Sequence, residues 1–141
     1  MKNTICIDAG PVIQLVAFPD KTRVRALWER WEDRGSRIIA PTLLFYEVTD
    51  VLYRYQKHSL LSSETVATSL AAALALPITL IEDAELHLLA AAIAERFDLE
   101  AAYDAHYLAL AERSDAELWT TDERLLNRMQ ASGIGWVHLI V

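Results

Sequence analysis

Five short apolar segments alternate along the chain with longer segments in which apolar residues recur every three or four positions. The short segments are predicted strands and cover residues 4–8, 37–40, 78–81, 118–120 and 136–140. Apolar runs of this length are typical of strands buried on both faces of a parallel sheet. Because helical segments separate the strands along the chain, the pattern predicts an α/β fold with a parallel sheet of about five strands and helices on both faces.

Seven helical segments lie between the predicted strands. They cover residues 12–18, 22–34, 42–57, 63–76, 84–96, 101–114 and 122–130, and the sixth begins at either Ala101 or Asp104. The Ala9-Gly10-Pro11 stretch predicts a turn before the first helix. Asp83 is a predicted N-cap, as is the Ser62–Glu64 stretch. The chain thus carries more helix than a minimal doubly wound fold needs.

Length and composition predict one ordered domain over residues 1–141. Apolar residues make up 53% of the chain and charged residues 23%, a balance typical of globular proteins. The longest nearly uncharged run, Leu70–Ile81, is too short for a membrane span and contains Pro77. Residues 1–4 lead directly into the first strand without a signal peptide, so we expect a cytoplasmic protein. The single cysteine, Cys6, is expected in the core.

The net charge of −7 argues against a simple electrostatic nucleic-acid binder. It does not exclude a nuclease, because acidic residues around a metal ion add to the negative charge while basic residues are concentrated elsewhere. The candidates for contact with a nucleic-acid backbone are the basic residues Arg23, Arg25, Arg54 and Lys57, and for each of them a solvated helix face is the favoured alternative.

Two carboxylates follow predicted strands directly. Asp8 ends the first strand, and Asp122 follows the fourth. Ligands of open α/β sheets bind at the carboxyl ends of the strands, so both are candidate site residues. Each has an alternative role as a helix N-cap. Thr120 points to the same side of an extended chain as Asp122, two residues later.

Two further carboxylates lie on helix faces that the apolar pattern directs inward. Glu47 falls on the stripe that includes Leu44 and Val51, and a buried unpaired carboxylate is costly, so it needs a cation, a metal or a proton. The alternative is a Glu at the helix edge that reaches solvent. Asp104 lies four residues before Leu108, on the face predicted to pack against the sheet, with an N-cap role as its alternative.

Together these four acids predict a metal site. A parallel sheet brings strand ends to one edge, and carboxylates gathered there repel one another unless a cation lies among them. Ligands that are all oxygen suit Mg²⁺ or Mn²⁺. By contrast, the chain has no Cys-x-x-Cys, no Gly-rich phosphate loop and no Gly-x-Ser-x-Gly elbow.

The ordered set of motifs resembles the PIN-domain ribonucleases, and within them the VapC-type toxins of toxin–antitoxin pairs. The resemblance rests on the strand that ends at Asp8, on Pro41-Thr-Leu-Leu-Phe-Tyr-Glu47-Val, on Tyr103-Asp104-Ala-His-Tyr-Leu-Ala-Leu-Ala-Glu112, and on Leu118-Trp-Thr-Thr-Asp122-Glu-Arg-Leu. It implies a three-layer fold with strand order 3-2-1-4-5, a Mg²⁺ or Mn²⁺ site and cleavage of single-stranded RNA. By motif position Asp8, Glu47, Asp104 and Asp122 would be the acidic quartet, and Thr120 would support it.

The resemblance also implies partners, namely a homodimer and a cognate antitoxin protein. Two surfaces are candidate contacts, the alanine- and leucine-rich helix at 63–76 and one apolar face of the helix at 22–34. That face consists of Val24, Leu27, Trp28 and Trp31, for which core packing is the alternative.

Gly10 departs from the family pattern. Many relatives carry Ser, Thr or Asn two residues after the first Asp, whereas this chain has Gly10 followed by Pro11. The departure favours a second hypothesis, a catalytically silent PIN-like module that acts by binding protein. The four acids favour the nuclease, because a binding module has no need of inward carboxylates that cost folding energy.

Overall fold

Five parallel strands form the central sheet in the order β3-β2-β1-β4-β5. The structure is a computed structural model that describes residues 2–141. Its strands are β1 (Thr4–Ile7), β2 (Arg37–Pro41), β3 (Thr79–Ile81), β4 (Glu117–Thr120) and β5 (Val137–Leu139). The predicted α/β class and the order 3-2-1-4-5 are both confirmed.

Seven helices flank this sheet within residues 2–141. They are α1 (Ala9–Ala17), α2 (Thr22–Asp33), α3 (Leu43–Lys57), α4 (Ser63–Leu74), α5 (Ala84–Arg96), α6 (Tyr103–Arg113) and α7 (Glu123–Ala131). Helix α6 packs against β1, β2 and β4, while α1 contacts β4, α3 and α4. No helix in this described part of the chain has both the length and the apolar character that a membrane span requires.

Strand β1 is the centre of the sheet. Cys6 pairs with Ile39 of β2 on one side and with Leu118 of β4 on the other. All three side chains are fully buried, as expected for a strand covered on both faces. Burial raises the pKa of the Cys6 thiol, so it is an inert core residue as predicted.

Helix α1 begins earlier than the sequence predicts. Gly10 and Pro11 lie inside its first turn, so the predicted turn at 9–11 is wrong. Proline is compatible with this position because the first backbone N–H groups of a helix have no partner within the helix. The helix therefore starts immediately after Asp8.

The apolar face of α2 lies in the core. Val24, Leu27, Trp28 and Trp31 are all buried. The Trp31 ring packs against Trp119 of β4, with ring centroids 5.7 Å apart. Core packing, the alternative for this stripe, is thus correct, and the stripe is not available as a contact surface for a partner.

Candidate active site

The carboxyl ends of β1 and β4 lie side by side and bring the first and last acids of the predicted quartet to one edge of the sheet. Asp8 occupies the N-cap position of α1, yet its side chain makes no capping hydrogen bond. Asp8 is therefore an N-cap by position, but its side chain does not cap the helix. Its half-buried carboxylate is left to interact with the other acids.

Thr120 links these two strand ends through its hydroxyl. The fully buried hydroxyl donates to the Asp8 carboxylate and accepts from the backbone N–H of Asp122 at 3.0 Å. One side chain thus holds the first acid in place and fixes the start of the segment that carries the last. The contact agrees with the supporting role predicted for Thr120.

Asp122 caps α7 through its side chain, so the N-cap alternative is correct for this residue. Its Oδ1 accepts from the backbone N–H groups of Arg124 at 3.0 Å and Leu125 at 3.3 Å. Both bonds use the same oxygen, which leaves Oδ2 for another ligand. The cap fixes the carboxylate at the edge of the cleft, where its charge acts on Asp8 and Asp104. A capping role and a site role are therefore compatible in this residue.

Glu47 of α3 is half-buried and held by Tyr107 of α6. The Tyr107 hydroxyl donates to Glu47 Oε1 at 2.5 Å, and its ring is almost fully buried. Desolvation raises the pKa of Glu47, the hydrogen bond from Tyr107 lowers it, and the charge of Asp104 raises it further. The predicted inward orientation is correct. Sequence reasoning missed Tyr107, although a tyrosine three residues after Asp104 on a helix lies on the same face.

Asp104 lies in the first turn of α6, whose N-cap is Ala102. The N-cap alternative for Asp104 is therefore wrong. The residue is also exposed, so the expectation that it packs against the sheet is wrong too; it opens onto the cleft instead. Desolvation of its carboxylate raises the pKa, and the charge of Asp122 adds to this effect.

The electrostatics of Asp8 reflect all of these neighbours. Desolvation and the charges of Asp104, Glu47 and Asp122 raise the pKa of Asp8 to about 7, against the lowering effect of the Thr120 hydrogen bond. A carboxylate in this environment gains from a nearby cation, and a donor set of oxygen atoms alone fits Mg²⁺ or Mn²⁺.

The side chains in the described residues 2–141 do not form a closed cage for an ion. No three Asp, Glu, His or Cys side chains in that range converge as a complete metal site. This spread is compatible with Mg²⁺, which keeps several water ligands and takes only one or two carboxylates directly. The donor chemistry therefore fits a hard divalent cation held partly through water.

An open cleft of about 490 Å³ gives access to the acids. Glu47, Asp104 and Asp122 line it together with Arg124 and Arg128. Arg128 donates to the backbone carbonyls of Phe97 and Asp98, at 2.9 and 2.8 Å. None of the basic residues predicted for RNA contact lines this cleft; Arg54, for example, forms an exposed pair with Asp50 at 3.1 Å. Arg124, which sequence reasoning missed, is better placed.

Packing explains why position 10 carries a glycine, and the sequence does not reveal this. A Cβ atom at this position would lie 1.9 Å from Thr121 Oγ1 and 3.0 Å from Thr121 Cβ. The Thr121 side chain thus fills the space that a side chain at residue 10 would need. Residue 10 lacks the polar side chain that many relatives carry two positions after the first Asp. The hydroxyl of Thr121, from the β4–α7 connection, lies where that side chain would be.

Gly10→Ala is therefore expected to destabilise the protein. Alanine is intrinsically favoured over glycine in a helix by about 1 kcal/mol, but overpacking costs about 1 to 3 kcal/mol and outweighs that gain. Urea denaturation will measure the net loss, and Gly10→Ala combined with Thr121→Ala should recover most of it. Gly135→Ala is the control, because a Cβ there meets no atom within 4 Å. Equal stability of Gly10→Ala and Gly135→Ala would contradict the predicted clash.

Comparison with known proteins agrees with this geometry. The family model for the PIN domain matches residues 5–131. Among solved structures, PAE2754 from Pyrobaculum aerophilum superposes with a TM-score of 0.67 at 21% identity, covering 97% of this chain and 89% of that one. VapC20 from Mycobacterium tuberculosis, described as a sarcin-ricin loop cleaving toxin, superposes with a TM-score of 0.64 at 15% identity, covering 95% and 98%. No curated protein sequence matches significantly.

Proposed function

Because the chain belongs to the PIN-domain family, we propose that it is a divalent-metal-dependent endoribonuclease that cleaves single-stranded RNA. The observation that carries the proposal is the gathering of Asp8, Glu47, Asp104 and Asp122 at one edge of the sheet, where three of them raise the pKa of the fourth. Such a set of mutually repelling carboxylates favours cation binding.

In this proposal Asp8 and Asp104 would bind Mg²⁺ or Mn²⁺ directly, and Glu47 and Asp122 would hold its water ligands or act as further ligands. A bound divalent cation activates a water molecule and offsets negative charge on the phosphate. The residues of the chain position these groups: Thr120 fixes Asp8, and Tyr107 fixes Glu47. Hydrolysis by an activated water requires no covalent intermediate with the protein.

In this proposal a basic residue at the rim of the cleft orients the RNA. Arg124 lines the cleft and supplies a cation for the phosphate backbone of RNA. The positive charge of this arginine matters in a chain of net charge −7, because the acidic residues would otherwise repel the RNA.

The test of this function is an endonuclease assay on a panel of structured RNAs with Mn²⁺. Cleavage is expected at a few sites in single-stranded loops, and a chelator should stop it. Several RNAs are needed because a selective nuclease is inactive on an RNA that lacks its site. Failure to cleave any member of a broad panel, with Mn²⁺ binding confirmed, would favour the silent binding module.

We further propose that the protein is the toxin of a toxin–antitoxin pair with a cognate antitoxin, and that it acts in the cytoplasm. Its fold is that of VapC20, which is described as a toxin. RNA cleavage in the cell would account for toxicity, and a protein that blocks the acid cleft would neutralise it.

A homodimer is expected through the surface around α4. Leu74 at the end of α4 is 59% exposed, and Leu80 on the edge strand β3 is 40% exposed. Exposed leucines of this kind favour association. Light scattering at micromolar concentration should give about twice the monomer mass of 15.9 kDa.

The matched substitutions for this dimer are Leu74→Asp and Leu88→Asp. Leu74→Asp should shift the mass to that of a monomer. Leu88→Asp on α5 should leave it unchanged, although Leu88 is more exposed to solvent, at 73%. A wild-type protein that remains a monomer would contradict the expectation.

A further inference from the structure

Two exposed tyrosines stand beside the acid cleft. Tyr46 immediately precedes Glu47, and its side chain is 75% exposed; Tyr103 immediately precedes Asp104, and its side chain is 65% exposed. Single exposed aromatic residues are common on protein surfaces. Two that each adjoin a residue of the candidate site are a stronger indication of ligand binding.

Both tyrosines line the same groove, which has a volume of about 280 Å³. Tyr103 also lines the acid cleft, so groove and cleft share one wall. A ligand that extends from the cleft over Tyr103 therefore enters the groove. The remaining wall joins the apolar residues Pro41 and Leu43 to a polar part. This polar part includes the Thr42 hydroxyl and the Glu82 carboxylate, which share a hydrogen bond of 3.0 Å.

A chain of hydrogen bonds keeps the polar part of the groove in place. Glu82 Oε2 bonds His87 Nε2 at 2.8 Å, and His87 Nδ1 bonds His106 Nε2 at 3.0 Å. The His106 Nδ1–H donates to the backbone carbonyl of Ala102 at 2.6 Å. The two imidazole rings thus have fixed orientations, and the groove is formed before any ligand arrives, which lowers the entropic cost of binding.

We propose that this groove binds a base of single-stranded RNA next to the cleavage position, with Tyr46 and Tyr103 as stacking surfaces. The inference rests on the proposed function, because the acid cleft supplies the neighbouring site. Flat rings at the edge of a cleft suit single-stranded nucleic acid, whose unpaired bases stack on aromatic side chains. The continuity of groove and cleft favours RNA over a protein segment as the occupant.

The test measures binding of fluorescent oligo-U, oligo-A and oligo-C ribonucleotides in the presence of a chelator, so that it does not depend on cleavage. Tyr103→Ala and Tyr46→Ala should each weaken binding by at least about fivefold, the smallest effect expected for the loss of one stacked base. Tyr103→Phe and Tyr46→Phe keep the ring and should bind within about twofold of the wild type. Tyr53→Ala is the matched control, since Tyr53 is also exposed on α3 but does not line the groove.

A second probe separates stacking from backbone contacts. An oligonucleotide in which the bases have been removed should bind the wild type and Tyr103→Ala equally. If both alanine variants bind the oligonucleotides as tightly as the wild type does, the inference is overturned. It is also overturned if the Phe variants lose as much affinity as the Ala variants. Lack of binding to every oligonucleotide would also overturn it.

These outcomes are distinct from failure of the proposed function. Cleavage that depends on Asp8, combined with binding that ignores both tyrosines, would reject the groove and keep the nuclease. Binding that depends on both tyrosines, without any cleavage, would keep the groove and reject the nuclease. If the alanine variants bind RNA normally but no longer form dimers, the groove is a contact between copies of the chain, and the inference is wrong.

Discussion

Asp8→Asn, Glu47→Gln and Asp104→Asn should each lower the rate of RNA cleavage by well over tenfold, because each would remove negative charge from the proposed cation site. The three substitutions keep side-chain size nearly unchanged, so a lost rate reports lost charge rather than lost packing. The measurement is the initial rate of cleavage with saturating Mn²⁺ on an RNA that the wild type cuts.

Asp50→Asn is the matched control for this experiment. Asp50 lies on α3, the helix that carries Glu47, but its carboxylate forms an exposed pair with Arg54. Such surface pairs contribute little to stability, so this variant should cleave at nearly the wild-type rate. Cleavage that survives all three site substitutions equally would indicate a contaminating nuclease and would favour the silent binding module.

Asp8→Asn is also expected to raise the melting temperature of the metal-free protein at about pH 8, by roughly 5 to 10 °C. The pKa of Asp8 rises from 3.8 to about 7 on folding, so between these values the folded protein binds a proton that the unfolded chain releases. The free energy of unfolding therefore falls as the pH rises through this window, by about 4 kcal/mol without screening. Water around the half-buried carboxylate screens the charges and reduces this loss to on the order of 2 kcal/mol. Asparagine, like the protonated acid, carries no charge and avoids this loss.

Mn²⁺ should reverse the order of the two melting temperatures, so that the wild type melts above Asp8→Asn. At the proposed site Mn²⁺ should bind the folded wild type and raise its melting temperature. The rise should be larger at about pH 8 than at about pH 5, where protons compete for the carboxylates. Asp8→Asn should show a much smaller rise. A wild-type melting temperature that ignores millimolar Mn²⁺ would count against the metal site, and a metal-free Asp8→Asn that melts below the wild type at about pH 8 would contradict the assigned electrostatics.

The sequence predicted the sheet and the four acids because both follow from local patterns. Continuous apolar runs marked the strands, and the position of Glu47 on an apolar helical stripe directed it inward. The resemblance supplied the strand order, which the periodicity alone did not. Pairing of β1 with β4 then explains why Asp8 and Asp122 meet although they are far apart in the chain.

The sequence did not predict contacts that depend on tertiary packing. The Tyr107–Glu47 hydrogen bond joins residues 60 positions apart on two helices. The start of α1 was misplaced because glycine and proline usually end helices, whereas here both occupy the first turn. The N-cap alternatives could be separated only in the folded structure. Asp8 lies at the N-cap position without a capping hydrogen bond, Asp122 caps through its side chain, and Asp104 lies inside the helix that begins after Ala102.

The close approach of Gly10 and Thr121 also constrains how this protein can change over generations. Because Thr121 occupies the volume beside residue 10, a lineage that acquires a serine or asparagine at position 10 must first accept a smaller residue at position 121. The reverse order passes through an overpacked and less stable ancestor. Positions 10 and 121 are thus expected to vary as a pair among descendants of this chain, although more than a hundred residues separate them.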